Sequence, residues 1–425
     1  MAKNDLEIFS RIAVFRTKET EPGEPSTSSG VSLDLESGSG IKSAPVVSHD
    51  GDTVHGSELP ARLYASHREA SGSLSQKTAK PDFIAFVLSF FFGECDSTLV
   101  GTTAYKHTIS PVEDPSLSSA TIIQKRGANI FTERLSGNYI EGFTLELGDG
   151  WVSCSAEVIG TGKREVNYER EVVSAPANAP SITLASNGVE GDTAAERLAN
   201  VYRVRAKDVG SEVWEVLGVA SVSEAVPAVI TFEQALGQSG TNVDYHVDYI
   251  PVEPSWCTIP DAIDESPLKL VEAKVVVDGY FDGSDLQGGE ELKAEVVGFT
   301  ISGKNNLELR RFPGASGPAA CAVRGGRELT VSLTESLRDT VRQYQADYPE
   351  TEHVSVALLI RGAQIDSGGG EYFGAEIIFP CCGIIEAPVV VEGRRLAQAG
   401  DLVVMDDGQY NGVIIRCYNQ QDGYL

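Results

Sequence analysis

The sequence predicts a mainly β fold, a β-sandwich or barrel with a flanking helix, into which a second, Ig-like β domain is inserted. Two segments carry this prediction, residues 141–160 and 298–312, because apolar and polar side chains alternate along both. A period of two is typical of half-buried strands. Breakers such as Pro111, Pro115 and Gly137 separate further strand-like stretches. Strands at this spacing, joined by turns of this chemistry, are typical of sandwiches and barrels.

Length and composition narrow the classes of protein that this chain can be. Its 425 residues, 41% of them hydrophobic, are enough for two or three ordinary cores. The formal net charge of -27, from 61 acidic and 34 basic residues, disfavours tight nucleic-acid binding, which needs clustered Lys and Arg. Such a chain repels DNA, and this property suits a surface past which DNA must move without adhering.

Neither a secretion signal nor a membrane span is predicted. The N-terminal stretch MAKNDLEIFSRIAVFRTK lacks the continuous apolar core of a signal peptide. The longest apolar run, residues 83–92, is too short to cross a bilayer. The seven cysteines are an odd number without a disulfide framework, which favours free thiols in a reducing compartment. We therefore expect synthesis in a cytoplasm without secretion.

Residues 1–80 are predicted to form an N-terminal segment with an extended arm or loop. Residues 18–80 are rich in Ser, Gly, Glu, Pro and Thr and can bury little, although 31–35 and 54–64 could pair as short strands. Pro81 then stands at a favoured first helical position and Gly93 at a favoured stop. The residues between them are apolar almost all round, which predicts a core or subunit-interface helix.

The segment 141–160 is predicted to be a hairpin with one apolar and one polar face. On the apolar face we expect Phe143, Leu145, Leu147, Val152, Cys154, Ala156 and Val158. The opposite face is small, polar and acidic, with Thr144, Glu146, Ser153, Ser155 and Glu157. A sheet with one smooth hydrophilic face is suited to line or cover something.

The second half of the chain repeats this pattern. Between 298 and 312, Phe299 and Ile301 alternate with Thr300 and Ser302, and after a turn Leu307 and Leu309 alternate with Glu308 and Arg310. Residues 328–334 continue the alternation and lead into a helix. Its expected packing stripe against a sheet comprises Leu337, Val341 and Tyr344.

Residues 171–255 differ in composition from the rest of the chain. The segment begins in a Pro- and Ala-rich stretch and ends near Pro251 and Pro254. Its candidate strands are 181–185, 201–206, 213–216, 228–232 and 243–250, which fit a small Ig-like sandwich. Acidic residues outnumber basic ones there by 12 to 4, which favours an exposed decoration over a DNA contact.

No motif predicts catalytic, cofactor-binding or metal-binding residues. A phosphate loop ending at Lys163 would need glycine where Glu157 stands, and Ser or Thr in place of Arg164. The neighbours Cys381 and Cys382 would point to opposite faces of a strand, without further ligands at metal-site spacing. The six histidines are isolated in sequence. A Ser/His or two-carboxylate hydrolase stays open as an alternative, because spatial constellations cannot be read from spacing alone.

Several consecutive segments resemble the tail tube proteins, or major tail proteins, of long non-contractile-tailed bacteriophages. They are YKHTISP at 105–111, SLSSATIIQKRG at 116–127 and LSGNYIEGFTLELGDGWVSCSAEVIGTGK at 135–163. VGFTISGKNNLELRRF, GRELTVSLTESLRD and the closing strand EYFGAEIIFP are similar as well. The resemblance covers residues 80–165 and 268–425, and strand patterns carry it.

The resemblance implies a tail-tube-type β-domain over residues 81–170 and 256–425, with 171–255 as an inserted decoration domain. The chain would then be a structural virion protein and not an enzyme. Its copies would form hexameric rings, stacked into the tube through which DNA is ejected. Implied partners are further copies, tape measure and tail terminator proteins, and DNA in transit. The implied location is the host cytoplasm during assembly and then the tail of the virion.

On this hypothesis the polar face lines the channel. The candidate lumen-facing residues are Thr144, Glu146, Ser153, Ser155, Glu157, Thr300 and Ser302. The alternative for this face is an outer, solvated surface. Two other functional classes stay open, a virion-surface or secreted β-rich binding protein with an Ig-like module, and a β-fold glycan hydrolase.

Overall fold

The computed structural model describes residues 10–27, 30–49, 63–126, 131–148, 150–207, 213–237, 241–292, 296–312, 319–337, 341–366, 370–392, 395–410 and 412–425. Strands dominate these residues and helices are few, which confirms the predicted mainly β class. Within the described part of the chain the sheets do not close into a barrel.

The helices are short and separated by many strands. They are α1 (Pro81–Phe92), α2 (Ala194–Ala199) and α3 (Val341–Asp347). The strands are β1 (Ser10–Phe15), β2 (Gly30–Leu33), β3 (Gly40–His49), β4 (Leu63–Gln76), β5 (Gly93–Leu99), β6 (Tyr105–Pro111), β7 (Ala120–Arg126), β8 (Phe131–Leu147), β9 (Val152–Val166), β10 (Glu169–Pro176), β11 (Ser181–Thr183), β12 (Val201–Lys207), β13 (Trp214–Leu217), β14 (Val219–Val222), β15 (Val229–Phe232), β16 (Asn242–Tyr249), β17 (Ala273–Phe281), β18 (Leu286–Glu291), β19 (Val296–Lys304), β20 (Leu307–Arg310), β21 (Cys321–Arg324), β22 (Glu328–Ser336), β23 (His353–Gln364), β24 (Tyr372–Glu386), β25 (Val389–Glu392), β26 (Arg395–Val404) and β27 (Ile414–Asn419).

The chain divides into two compact units. The smaller comprises Ile123–Arg134 and Glu165–Ile259 with the start of the chain, and the larger comprises Ile12–Ile122, Leu135–Arg164 and Pro260–Leu425. The predicted insertion, residues 171–255, lies within the smaller unit.

The larger unit has two antiparallel layers around one apolar core. One layer follows the strand order β3-β4-β9-β8-β19-β22-β26. The other follows β18-β17-β23-β24-β27-β6-β5. The far end of β24 pairs with β26 and joins the two. A single cluster of buried side chains contains residues of both layers.

Helix α1 lies in this core. Its bounds confirm the sequence prediction, with Pro81 in the first turn and Gly93 in the left-handed conformation (φ 96°) just after the last turn. All of its residues are buried, and it contacts β5, β6, β24 and β27. On another side, the ring of Phe91 meets that of Phe143 from β8, with centroids 4.7 Å apart. The prediction of a core or subunit-interface helix is confirmed as a core helix, because α1 is enclosed by both layers and has no polar side to expose.

Helix α3 packs differently from the expected stripe. Val341 and Tyr344 are 49% and 55% exposed, whereas Gln345 is buried. The Gln345 side chain accepts a hydrogen bond from Arg342, whose guanidinium also contacts Glu335 and Asp278 at 3.3 and 3.2 Å. The polar contacts of Arg342 and the packing of Ala346 against the core thus hold this two-turn helix in place of the predicted apolar stripe.

The N-terminal segment has more regular structure than a loop. Strand β2 pairs with β1. Of the residues 54–64 that were predicted to pair with 31–35, residues 54–62 lie outside the described residues. Strands β3 and β4 form a long hairpin, and β4 continues the sheet by pairing with β9 from Ala70 to Gln76. Strands β2, β3 and β4 occupy parts of 18–80 that were expected to be loop. Strand β4 joins the sheet because β9 offers an edge, and pairing satisfies backbone groups regardless of polar composition. The role of this segment as an arm stays a prediction.

The second copy of the alternating pattern is not a hairpin. Strand β19 lies between β8 and β22, while β20 pairs with β21 in a separate two-stranded sheet. The chain leaves β19 at Asn305, whose buried amide donates to the carbonyl oxygens of Phe91 and Ile140. Asn306 follows with a positive φ of 48°. This turn directs the chain away from β19, whose two edges are paired with β8 and β22.

The smaller unit contains a seven-stranded sandwich. One sheet has the order β10-β16-β12-β13 and the other β11-β15-β14. Apolar residues from both sheets form one core, in which the rings of Phe232 and Tyr245 stack with centroids 5.4 Å apart. The five predicted strands are present, and β10, β14 and α2 were not predicted. Helix α2 begins at a capping box of Thr193 and Glu196, a signal that the sequence contains.

Candidate functional site: a polar sheet face

The strand register brings the seven candidate residues onto one face of the β4-β9-β8-β19-β22 layer. Thr300 lies opposite Glu146, and Ser302 opposite Thr144, across the β8–β19 pair. Thr144, Ser155, Glu157 and Ser302 line one shallow groove of this face. Thr144, Glu146, Ser153 and Ser155 line an adjoining one. All seven side chains are exposed or partly exposed.

The other face of the same strands is the core. The seven residues expected on the apolar face of the hairpin are buried, as are Phe299 and Ile301 on β19. This confirms the predicted alternation. A shift of one residue in the pairing of a strand would move all of its side chains to the opposite face. The polar face consequently lies on a packed apolar layer.

Further small polar residues extend the face beyond the predicted set. Thr330 and Ser332 on β22 lie opposite Ser302 and Thr300. On the other side, Ser73 and Ser75 of β4 lie opposite Glu157 and Ser155. The alternation in β22 was visible in the sequence. The contribution of β4 was missed because its serine-rich composition is typical of loops.

Hydroxyl groups of the face bond to their neighbours across the strands. The Ser302 and Thr330 hydroxyl oxygens are 2.7 Å apart, and the Ser332 hydroxyl donates to Asp401 Oδ1 over 2.7 Å. Short side chains engaged with one another present few free donors to a passing molecule.

The face carries more negative than positive charge. Its carboxylates are Glu146, Glu157, Glu328 and Asp401, with Glu36 beside the second groove, and Lys304 and Lys77 contribute ammonium groups. Within the described residues neither Glu146 nor Glu157 is in an ion pair. Unpaired carboxylates in a row produce a negative local potential.

The most perturbed carboxyl groups lie elsewhere, at the N-terminus of α1. Burial raises the pKa of Glu265 to about 7 and also raises that of Asp82. Glu265 Oε2 accepts a hydrogen bond from the Asp82 backbone N–H, while Glu265 Oε1 has no partner. The Tyr424 hydroxyl donates to Asp82 Oδ1 over 2.5 Å. This buried cluster ties the end of the chain to α1, and we interpret it as structural.

Other chemistry is sparse in the part of the chain that the structure describes. All seven cysteines are free thiols, and burial raises the pKa of Cys154 and Cys382 to about 12. No cluster of three or more His, Cys, Asp or Glu side chains with metal-binding geometry occurs among the described residues. None of the described helices has the length and apolar character needed to cross a membrane.

Comparisons with known proteins give little beyond this geometry. No protein-family model matches the chain, and no curated protein matches it. Among solved structures, a double tryptophan variant of the Hcp1 protein from E. coli EAEC 042 pathovar is similar over 34% of this chain and 97% of that chain, at 13% identity. The TM-score is 0.18.

Proposed function

We propose that this protein is a structural, non-enzymatic subunit that assembles with copies of itself into hexameric rings, and that the rings stack into a phage tail tube. The polar face is the inner wall of the tube, through which DNA is ejected. Tape measure and tail terminator proteins are its further partners in the virion. The smooth, negatively charged character of this face is the observation that carries the proposal.

The chemistry of the face suits a channel for DNA. A phosphate backbone adheres to Lys and Arg side chains and is repelled by unpaired carboxylates such as Glu146 and Glu157. Hydroxyl groups that are already bonded, as in the Ser302–Thr330 pair, offer few new contacts to the moving polymer. The apolar layer beneath resists deformation, because well-packed cores have low compressibility.

Assembly from copies also suits the sheet edges. Strand β3 lies at the end of its layer, where its strand partner among the described residues is β4. Strands at the end of a sheet associate with another chain unless they are covered. Pairing between copies would close the open layer into a barrel, and heterologous contacts between rings would extend it into a filament.

Electron microscopy of the purified chain and its variants tests this proposal. We expect rings or tubes with a central hole for the wild type. The double variant Glu146→Lys with Glu157→Lys is expected to form the same tubes but to retain DNA fragments in a nuclease-protected form, since lysines in the lumen bind phosphate. Protected DNA is measured after nuclease treatment and sedimentation.

A matched charge change elsewhere separates lumen from outer surface. Glu308→Lys with Glu350→Lys alters the net charge equally at exposed positions outside the polar face. DNA bound to that variant should stay sensitive to nuclease. A wild type that stays monomeric, or lumen and control variants that protect DNA equally, would count against the proposal.

A further inference from the structure

The basic residues of the inserted sandwich are concentrated on one sheet face. Between 171 and 255 the chain has four basic residues. Arg203, Arg205 and Lys207 alternate along β12 with residues that face the core, and so they share the outer face of the four-stranded sheet. Arg170 on β10 joins them through Asp248. The remaining basic residue between 171 and 255 is Arg197, which lies on α2 and is 8% exposed. In a segment with threefold more acidic residues, this segregation creates a local basic surface.

An exposed indole lies within this surface. Trp214 on β13 faces Lys207 across the pair and is 41% exposed. The Arg205 guanidinium carbon lies 4.7 Å from the centroid of the indole, and Lys207 Nζ lies 5.5 Å from it. The His246 imidazole meets the indole edge to face at 4.7 Å. Cation–π contacts of this kind hold the indole in a fixed orientation.

Arg205 differs from its basic neighbours in having no acidic partner. Arg170 and Arg203 both contact Asp248, at 2.5 and 2.8 Å. Among the described residues the Arg205 side chain contacts Trp214, and its buried Nε donor has no hydrogen-bond partner. No described carboxylate forms an ion pair with this guanidinium. A bound anionic group would supply the counter-charge that the guanidinium lacks.

We propose that this face, defined by Trp214, Arg205, His246, Val172 and Val216, binds an anionic glycan. A sugar ring packs its C–H face on the exposed part of the indole, and a carboxylate or sulfate on the sugar accepts hydrogen bonds from Arg205. Val172 and Val216, 51% and 70% exposed, provide apolar surface on either side. The face is open and sheet-like, which suits an extended polymer more than a small enclosed ligand.

Charge density favours a glycan over a nucleic acid as the polyanion. Double-stranded DNA carries about one charge per 1.7 Å of its axis, and the acidic residues around the basic surface would repel most of them. A polysaccharide with a single carboxylate on each sugar has a lower charge density, so a single arginine can pair with it locally. The proposal concerns a face that the channel hypothesis does not use, and the two can fail separately.

Calorimetric titration of the full-length protein tests the proposal. The probes are hexagalacturonate, which is carboxylated, a heparin hexasaccharide, which is sulfated, maltohexaose, which is neutral, and a single-stranded oligothymidylate. We expect at least one acidic hexasaccharide to bind and maltohexaose not to bind. Arg205→Gln and Trp214→Ala should each raise Kd by about tenfold or more, since each removes one of the two principal contacts.

Two controls make the result decisive. Arg310→Gln and Tyr280→Ala change an exposed arginine and an exposed tyrosine elsewhere and should leave Kd unchanged. Unfolding temperatures of all variants establish that the fold is retained. Absence of binding to both acidic hexasaccharides, equal binding by the Arg205 and control variants, or tighter binding of oligothymidylate would each overturn the proposal.

Discussion

Individual positions where a side chain would not fit show how tightly the larger unit is packed. A Cβ atom on Gly303 would lie 2.5 Å from Phe143 Cε1, 2.8 Å from Phe91 Cζ and 2.9 Å from Leu329 Cδ2. Both rings belong to the contact between α1 and β8. The absence of a side chain at Gly303 therefore permits β19 to lie close to these two rings. Because β19 also carries Thr300 and Ser302, this packing fixes the position of the polar face.

We expect Gly303→Ala to destabilise the larger unit by about 1–3 kcal/mol, because overpacking forces rings from their preferred rotamers. Gly298→Ala on the same strand is the matched control, since its nearest atoms lie 3.9 Å from the added Cβ. Calorimetric unfolding should show a lower Tm for the first variant than for the second. Equal values would contradict the proposed packing role of Gly303.

The buried carboxyl of Glu265 makes stability depend on pH in an unusual direction. Burial raises its pKa from 4.5 to about 7, so the folded protein binds this proton more tightly than the unfolded chain. The stabilisation is complete below the unfolded pKa and is lost as pH rises towards 7. Most paired carboxylates in proteins have the opposite effect.

The variant Glu265→Gln removes this pH dependence. At pH 8 it should be more stable than the wild type by up to roughly 3 kcal/mol, from the pKa difference at 1.36 kcal/mol per unit. The Tm difference between variant and wild type should grow from pH 5 to pH 8 and then level off. A constant difference across this range would mean that Glu265 stays ionised in the folded state.

At the scale of the elements, the β3–β4 hairpin exposes apolar side chains that an isolated subunit would leave in contact with water. Residues of its outer part are apolar and exposed, with Leu63 at 74%, Tyr64 at 50% and Val47 at 48%. Before Ala70, residues 63–69 of β4 pair with β3 and have no second strand partner among the described residues. Such a hairpin end is expected to be covered by another copy.

We expect Val47→Ser with Leu63→Ser to reduce assembly while leaving the Tm of the subunit unchanged, because both side chains already contact solvent. Sedimentation velocity measures the fraction in rings and tubes. Val271→Ser with Tyr280→Ser is the control, at positions 88% and 66% exposed on other segments. A hairpin variant that assembles as well as this control would exclude the hairpin as a contact.

At the scale of the whole molecule, net charge opposes the proposed assembly. Each copy carries a formal charge of -27, and copies in a ring repel one another over distances comparable to the Debye length. Apolar contacts and strand pairing must offset this repulsion. The charge also keeps single copies soluble before assembly.

Assembly should therefore increase with ionic strength. Between about 10 mM and 150 mM salt the Debye length shortens from about 30 Å to about 8 Å, and we expect the ring fraction to rise over this range. Light scattering and sedimentation at fixed protein concentration measure it. Dissociation on adding salt would indicate that ion pairs hold the copies together.

The sequence by itself determined the local features. Alternation placed Glu146 and Glu157 on the face opposite Leu145 and Ala156, because successive side chains of a strand point to opposite sides. Proline and glycine determined where α1 begins and ends. The strands of the inserted sandwich were visible for the same reason, since turn residues and alternation depend only on near neighbours in the chain.

Only the tertiary structure decided which strands become neighbours. A period of two does not specify a partner, and so the pairing of β19 with β8 and β22, and the entry of β4 into the sheet, could not be predicted. The enclosure of α1, the buried carboxyl of Glu265 and the unpaired Arg205 likewise depend on segments distant in sequence. Strand pairing and side-chain burial depend on each other across the whole core. For this reason the polar face includes strands, such as β4, that the sequence pattern did not indicate.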